Sequence, residues 1–185
     1  MKENGNESMH GIMKKGLLII NTGNGKGKTT AALGMAMRAA GHGMKVCFIQ
    51  FIKGSSRYGE LEAVKKIPDS IDLYTMGRQA TRKSDTPKKN KEVARIGWEF
   101  ARKVITSNYY QMVVLDEFTY LPIYEMIDMN SVLTILANRP VNLHVVITGR
   151  KAPEKLIEIA DLVTDMQAVK HPLKNGITAQ KGVEF

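Results

Sequence analysis

The stretch Thr22-Gly23-Asn24-Gly25-Lys26-Gly27-Lys28-Thr29-Thr30 combines glycines, two lysines and three threonines in one short run. Glycines let a backbone turn tightly and present N–H groups to phosphate oxygens with no Cβ in the way. An apolar run precedes the stretch and an Ala-rich helical pattern follows it, the setting in which a loop and a helix N-terminus cradle phosphate. In that setting Lys28 reaches the β- and γ-phosphates and the Thr29 hydroxyl ligates Mg²⁺. The general pattern G-x-x-x-x-G-K-[ST] places glycine at position 22, where this chain has Thr22. Further along, Met112-Val113-Val114-Leu115 leads into Asp116-Glu117. Carboxylates at the end of an apolar strand meet Mg²⁺ at the carboxyl edge of a parallel sheet. The two motifs together point to a nucleoside triphosphate. They leave the reaction open among hydrolysis, phosphoryl transfer and chemistry that uses the polyphosphate as leaving group.

These residues need a scaffold of strands and helices. Continuous apolar runs occur at Leu17–Asn21, Val46–Phe51, Ile71–Tyr74, Met112–Asp116, Leu143–Thr148 and Leu162–Met166. Runs without alternation indicate strands buried on both faces, as in a parallel sheet. Helical patterns fill the intervals: Thr29–Ala40, closed by Gly41-His42-Gly43; Lys89–Ile105, with Val93, Ile96, Phe100 and Val104 on one face; a helix capped by Asn130 or Ser131 and running to Asn138; and one opened by Pro153 that reaches Asp161. The order predicts a three-layer α/β/α fold with a mostly parallel sheet. Residues 16–185 read as one domain behind a loose leader, residues 1–15.

The chain has 185 residues, 27 Lys+Arg against 18 Asp+Glu, and a net charge of +9. With 43% hydrophobic residues it is not a disordered chain. No apolar run spans a bilayer, and Met1–Lys14 lacks the apolar core of a secretory signal. The lone Cys47 supports no intrachain disulfide and no Cys-rich zinc cluster. His10, His42, His144 and His171 show no metal-ligand spacing. A cytoplasmic, membrane-free protein with anionic partners is the expectation.

On these motifs the chain resembles the ATP:corrinoid adenosyltransferases of the P-loop type. The shared blocks are TGNGKGKTTAALGMAMRAAGHG (Thr22–Gly43), QFIKG (Gln50–Gly54), VVLDEFTY (Val113–Tyr120), NRP (Asn138–Pro140), VITGR (Val146–Arg150) and VKHPLKNGITAQKGVEF (Val169–Phe185). The resemblance implies a RecA-like fold, a homodimer, and transfer of the 5′-deoxyadenosyl group of ATP to the Co(I) centre of a reduced corrinoid, with release of triphosphate. It also implies ATP as co-substrate, Mg²⁺ or Mn²⁺ as cofactor, and a nucleotide held in reverse of the usual P-loop orientation. Carried over, Asn24, Gly25, Lys26, Gly27, Lys28, Thr29 and Thr30 match the triphosphate loop. Thr29 and Glu117 match the metal positions with Asp116 beside them, and Arg38 matches an arginine near the nucleoside. Lys28, Thr29 and Glu117 are thereby the expected catalytic set.

The chain departs from the family between the third strand and the long helix. Relatives often carry a G-F-T-W loop there, whose aromatics cover the lower corrin face and help Co(II) become Co(I). Here the stretch is Met76-Gly77-Arg78-Gln79-Ala80-Thr81-Arg82-Lys83, with Ala80 and Arg82 at the aromatic positions. The region to Lys103 is also strongly basic. It reads first as a solvated helix face beside a loop, and second as a docking surface for an acidic electron donor such as a flavoprotein. Two other classes remain as alternatives: a P-loop kinase or NTPase yielding ADP, and a nucleic-acid-binding RecA-like ATPase module, which the lack of interleaved exposed aromatics disfavours.

Overall fold

The computed structural model describes residues 15–52, 59–66, 70–76 and 87–184. The leader to residue 14 and the stretch 77–86, which contains the Ala80 and Arg82 positions, lie outside the described residues.

The chain forms β1 (Leu18–Thr22), α1 (Lys28–Gly41), β2 (Val46–Gln50), α2 (Gly59–Val64), β3 (Ile71–Thr75), α3 (Pro87–Thr106), β4 (Met112–Asp116), α4 (Tyr120–Ile123), α5 (Met129–Ala137), β5 (His144–Thr148), α6 (Glu154–Ile159) and β6 (Leu162–Asp165). A 3₁₀ turn, Pro172–Asn175, follows. The six strands make one sheet in the order β3-β2-β4-β5-β1-β6, every neighbouring pair parallel.

The continuous apolar runs have their cause in the layers. Alternate residues of a strand point to opposite faces, so a strand covered on both sides needs apolar residues throughout. Leu18, Ile20, Cys47, Ile49, Val113 and Leu115 pack with α3, α5 and α6 on one face. Ile19, Val46, Phe48, Val114 and Val146 pack with Ala32, Ala36 and Ala39 of α1 on the other. The exception is β6, exposed along its length at the sheet edge, where the expectation of burial on both faces fails.

Two helical expectations are also corrected. The buried stripe of α3 is Ala94, Trp98, Ala101, Val104 and Ile105, whereas Ile96 is exposed. The helix is turned because Gly97 admits Phe51: a Cβ there would approach the ring at 3.2 Å. Trp98 then packs on Phe118 with ring centroids 5.4 Å apart. The cap of α5 is Asp128, whose carboxylate accepts from the backbone N–H groups of Asn130 and Ser131, an acidic N-cap that satisfies orphan donors of the first turn. Away from the sheet's carboxyl edge, Asp161 accepts from Leu18 N and pairs with Lys15 and Arg139, and these contacts lower the pKa of its carboxyl. His144, half-buried at the start of β5, accepts from Leu17 N through Nδ1.

Candidate triphosphate site

Parallel strands end at one edge, so β1, β2, β4 and β5 deliver the loops after them to the same place. The loop after β1 needs glycine at two points. Gly23 (φ 96°) and Gly27 (φ 110°) lie in the left-handed region, and Gly27 forms the N-cap of α1 with no side chain between backbone and ligand. A Cβ on Gly23 would also collide with Asp165.

Lys28 opens α1 and is buried. Its Nζ donates to the carbonyls of Gly23 (2.8 Å) and Gly25 (2.5 Å), so the loop's own oxygens hold the ammonium. Burial lowers its pKa, and the neighbouring Arg150 and Lys26 push the same way, against Glu117 and Asp116. A triphosphate would supply the missing negative charge.

The adjacent Thr29 Oγ1 donates to Asp116 Oδ1 at 2.8 Å. Thr148, at the end of β5 between β4 and β1, donates to the same oxygen at 2.6 Å and accepts from Glu117 N at 2.9 Å. Glu117 has φ 57°, an uncommon value for a residue with a Cβ, and marks the strained turn that directs the chain away from β4. Hydroxyl and carboxylate oxygens are hard donors suited to Mg²⁺, which binds through one or two carboxylates plus phosphate oxygens. The described residues contain no cluster of three or more acidic, His or Cys ligands. The Thr29, Asp116 and Glu117 set thus fits an ion that arrives with its nucleotide.

A cavity of about 480 Å³ is lined by Lys26, Lys28, Thr29, Glu60, Glu117 and Arg150, among others. Gly182, Val183 and Glu184 also line it: the chain's last turn returns to the loop, where Glu184 pairs with Lys26 at 2.9 Å. The tail thus closes against the phosphate loop, and it does so without forming a strand. On the loop's other flank a second cavity, about 700 Å³, includes Gly23, Asn24, Asp165 and His171, and Arg150 lines both.

The structure therefore brings together Gly25, Lys26, Gly27, Lys28, Thr29, Thr30 and Glu117, with Asn24 on the neighbouring cavity. Arg38 is not among them. It lies in the last turn of α1, exposed, and ten residues of helix rise carry it about 15 Å from Lys28. Sequence reasoning missed Thr148, Arg150, Glu60 and Gln50 as site residues. The VITGR and QFIKG blocks contained three of them. The Arg150 carbonyl accepts from Thr119 Oγ1 at 2.7 Å, which anchors the turn that carries the guanidinium.

An α/β/α sheet with a phosphate loop after its first strand and an acidic residue ending β4 defines a P-loop nucleotide-binding protein. A KaiC-like protein from Pyrococcus horikoshii OT3 shares this RecA-like arrangement at a TM-score of 0.53 and 17% identity, covering 92% of this chain and 76% of that one. Residues 14–185 match the family described as ATP:corrinoid adenosyltransferase BtuR/CobO/CobP, and the chain belongs to that family. It is 44% identical to a corrinoid adenosyltransferase from Sinorhizobium sp over 93% of this chain and 81% of that one. It is 37% identical to a corrinoid adenosyltransferase from Escherichia coli K12 over 93% of this chain and 87% of that one.

Proposed function

We propose that this protein transfers the 5′-deoxyadenosyl group of ATP to the cobalt of a reduced corrinoid. The observation that carries the reading is the hydrogen bond tying Thr29 to Asp116 beside a cavity lined by Lys28, Thr29 and Glu117, in a chain of this family. In the reaction Co(I) supplies an electron pair to C5′, and the C5′–O5′ bond breaks. The pair leaves with the triphosphate, and cobalt becomes formally Co(III) in the new Co–C bond. Co(I) is itself a strong nucleophile, so no side-chain base has to activate it.

The protein's part is positioning and charge neutralisation. Lys26 to Thr30 present backbone N–H groups and the α1 N-terminus to the triphosphate, while the Gly25 N–H donates to the Met166 carbonyl and ties the loop to the chain after β6. Lys28 and Lys26 neutralise it, and Arg150 adds a guanidinium from the loop after β5. Thr29 and Glu117, with Asp116 beside them, would hold Mg²⁺, which would supply electrophilic stabilisation of the leaving triphosphate. Tail residues Gly182–Glu184 wall the cavity and limit water.

The reading takes a homodimer as the working unit, on the family resemblance, and a reduced flavoprotein as electron source, on the basic segment that runs to Lys103. Sedimentation of the purified chain and turnover of cob(II)alamin with reduced flavodoxin test them. It also places the protein in the cytoplasm; among the described residues no helix is long and apolar enough to cross a membrane.

Incubation with Mg-ATP and chemically reduced corrinoid, followed by ³¹P NMR, separates this reading from an NTPase. Triphosphate formed alongside a light-sensitive Co–C bond supports it; ADP formed without corrinoid contradicts it.

A further inference from the structure

Gln50 ends β2 at the carboxyl edge, and its side chain is fully buried. Its amide Nε2 faces two carboxylates at once, Asp116 Oδ2 and Glu60 Oε1, each at 3.4 Å. Both contacts are long, so one NH₂ group is shared between two acceptors. The opposite orientation of the amide would turn a carbonyl oxygen toward both carboxylates, which repulsion forbids.

The amide oxygen Oε1 is buried as well, and no described residue donates to it. A buried acceptor without a donor costs stability. A leucine of similar volume would avoid that cost but would take the Nε2 donor from Asp116 and Glu60. Core packing and the two carboxylates account for Nε2, and not for the buried Oε1. The place does. Asp116 is the carboxylate that holds Thr29, and Glu60 lines the triphosphate cavity. Magnesium gives up its waters reluctantly, and their hydrogens need acceptors beyond the direct ligands.

We propose that Gln50 is a positioning residue for the metal of Mg-ATP: Nε2 sets the Asp116 and Glu60 carboxylates, and Oε1 accepts a hydrogen from the hydrated ion. The assignment rests on the Mg-ATP reading above. It makes α2, through Glu60, part of the metal's surroundings, so that β1, β2 and β4 all contribute at one point.

The test is ATP titration calorimetry on the full chain, once with Mg²⁺ and once with EDTA, for wild type, Gln50→Leu and Gln50→Glu. The wild type gains affinity from Mg²⁺. Gln50→Leu loses about tenfold of that gain, the usual effect of removing an outer-sphere partner, while its affinity in EDTA stays unchanged. Gln50→Glu, nearly isosteric, keeps an acceptor but adds a third carboxylate. It retains the gain at alkaline pH and loses it as protons compete with the metal. A Gln50→Leu protein that shifts in melting temperature yet keeps the full Mg²⁺ gain overturns the proposal and leaves the Mg-ATP reading standing. A wild type with equal affinity in Mg²⁺ and EDTA contradicts the metal reading, and the proposal with it.

Discussion

Thr29 Oγ1 donates to Asp116 Oδ1 across 2.8 Å, joining the first turn of α1 to the last residue of β4. One hydroxyl thus links the phosphate loop to the acidic strand end. On the Mg-ATP reading that hydroxyl would be a ligand of the ion, with Asp116 beside it. Thr29→Ser keeps the hydroxyl and is expected to bind Mg-ATP much as the wild type does. Thr29→Ala is expected to lose about 1–2 kcal/mol of Mg-ATP binding. Calorimetry of both variants checks this, and equal affinities would contradict it.

Lys28→Ala removes the ammonium that the Gly23 and Gly25 carbonyls hold. ATP binding is expected to weaken by about 2–3 kcal/mol, the range for a charge-assisted contact. The free protein should not become less stable by a similar amount, because burying that charge already opposes folding. Unchanged ATP affinity would refute the role.

Lys28 also sets a pH dependence. Its pKa in the free protein lies below the ordinary 10.5, chiefly through burial. The triphosphate favours the charged form, so at alkaline pH binding must take up a proton. Affinity for ATP is expected to fall as the pH rises through the lowered pKa. In the ligand-free protein the sign reverses, since neutralising a buried lysine favours the folded state as the pH rises toward 10.5. Calorimetry in two buffers of different ionisation enthalpy detects the proton; no uptake in the wild type, or the same uptake in Lys28→Ala, would contradict the assignment.

Glu184 pairs with Lys26, a phosphate-loop lysine that a bound triphosphate would also engage. A half-exposed pair contributes up to about 1 kcal/mol, so Glu184→Gln is expected to tighten ATP binding by up to about fivefold. Weaker binding would mean that Glu184 contacts the nucleotide instead of competing with it.

The phosphate loop was legible because its function lies in the backbone: glycines, one lysine and one threonine in chain order need no tertiary contact to be read. The buried strands were legible for a similar reason, since burial on both faces demands unbroken apolar runs. What escaped depends on neighbours. Ile96 reads as core by spacing alone, and only the approach of Phe51 to Gly97 turns it outward. Gln50, Thr148 and Arg150 meet Asp116 or the loop because β2 and β5 flank β4, an order that no local pattern carries. Arg38, placed near the nucleoside by resemblance alone, lies on the exposed end of α1, away from the triphosphate cavity. The loop lacking the family's Phe and Trp falls in residues outside the described set.

The central claim is the fate of C5′. ATP labelled at that carbon, incubated with the protein, Mg²⁺ and reduced corrinoid in the dark, should transfer its label to the corrinoid one for one with triphosphate released. Light should then free the label as a deoxyadenosyl fragment. Label that stays with ADP or AMP while the corrinoid remains unalkylated would contradict the account.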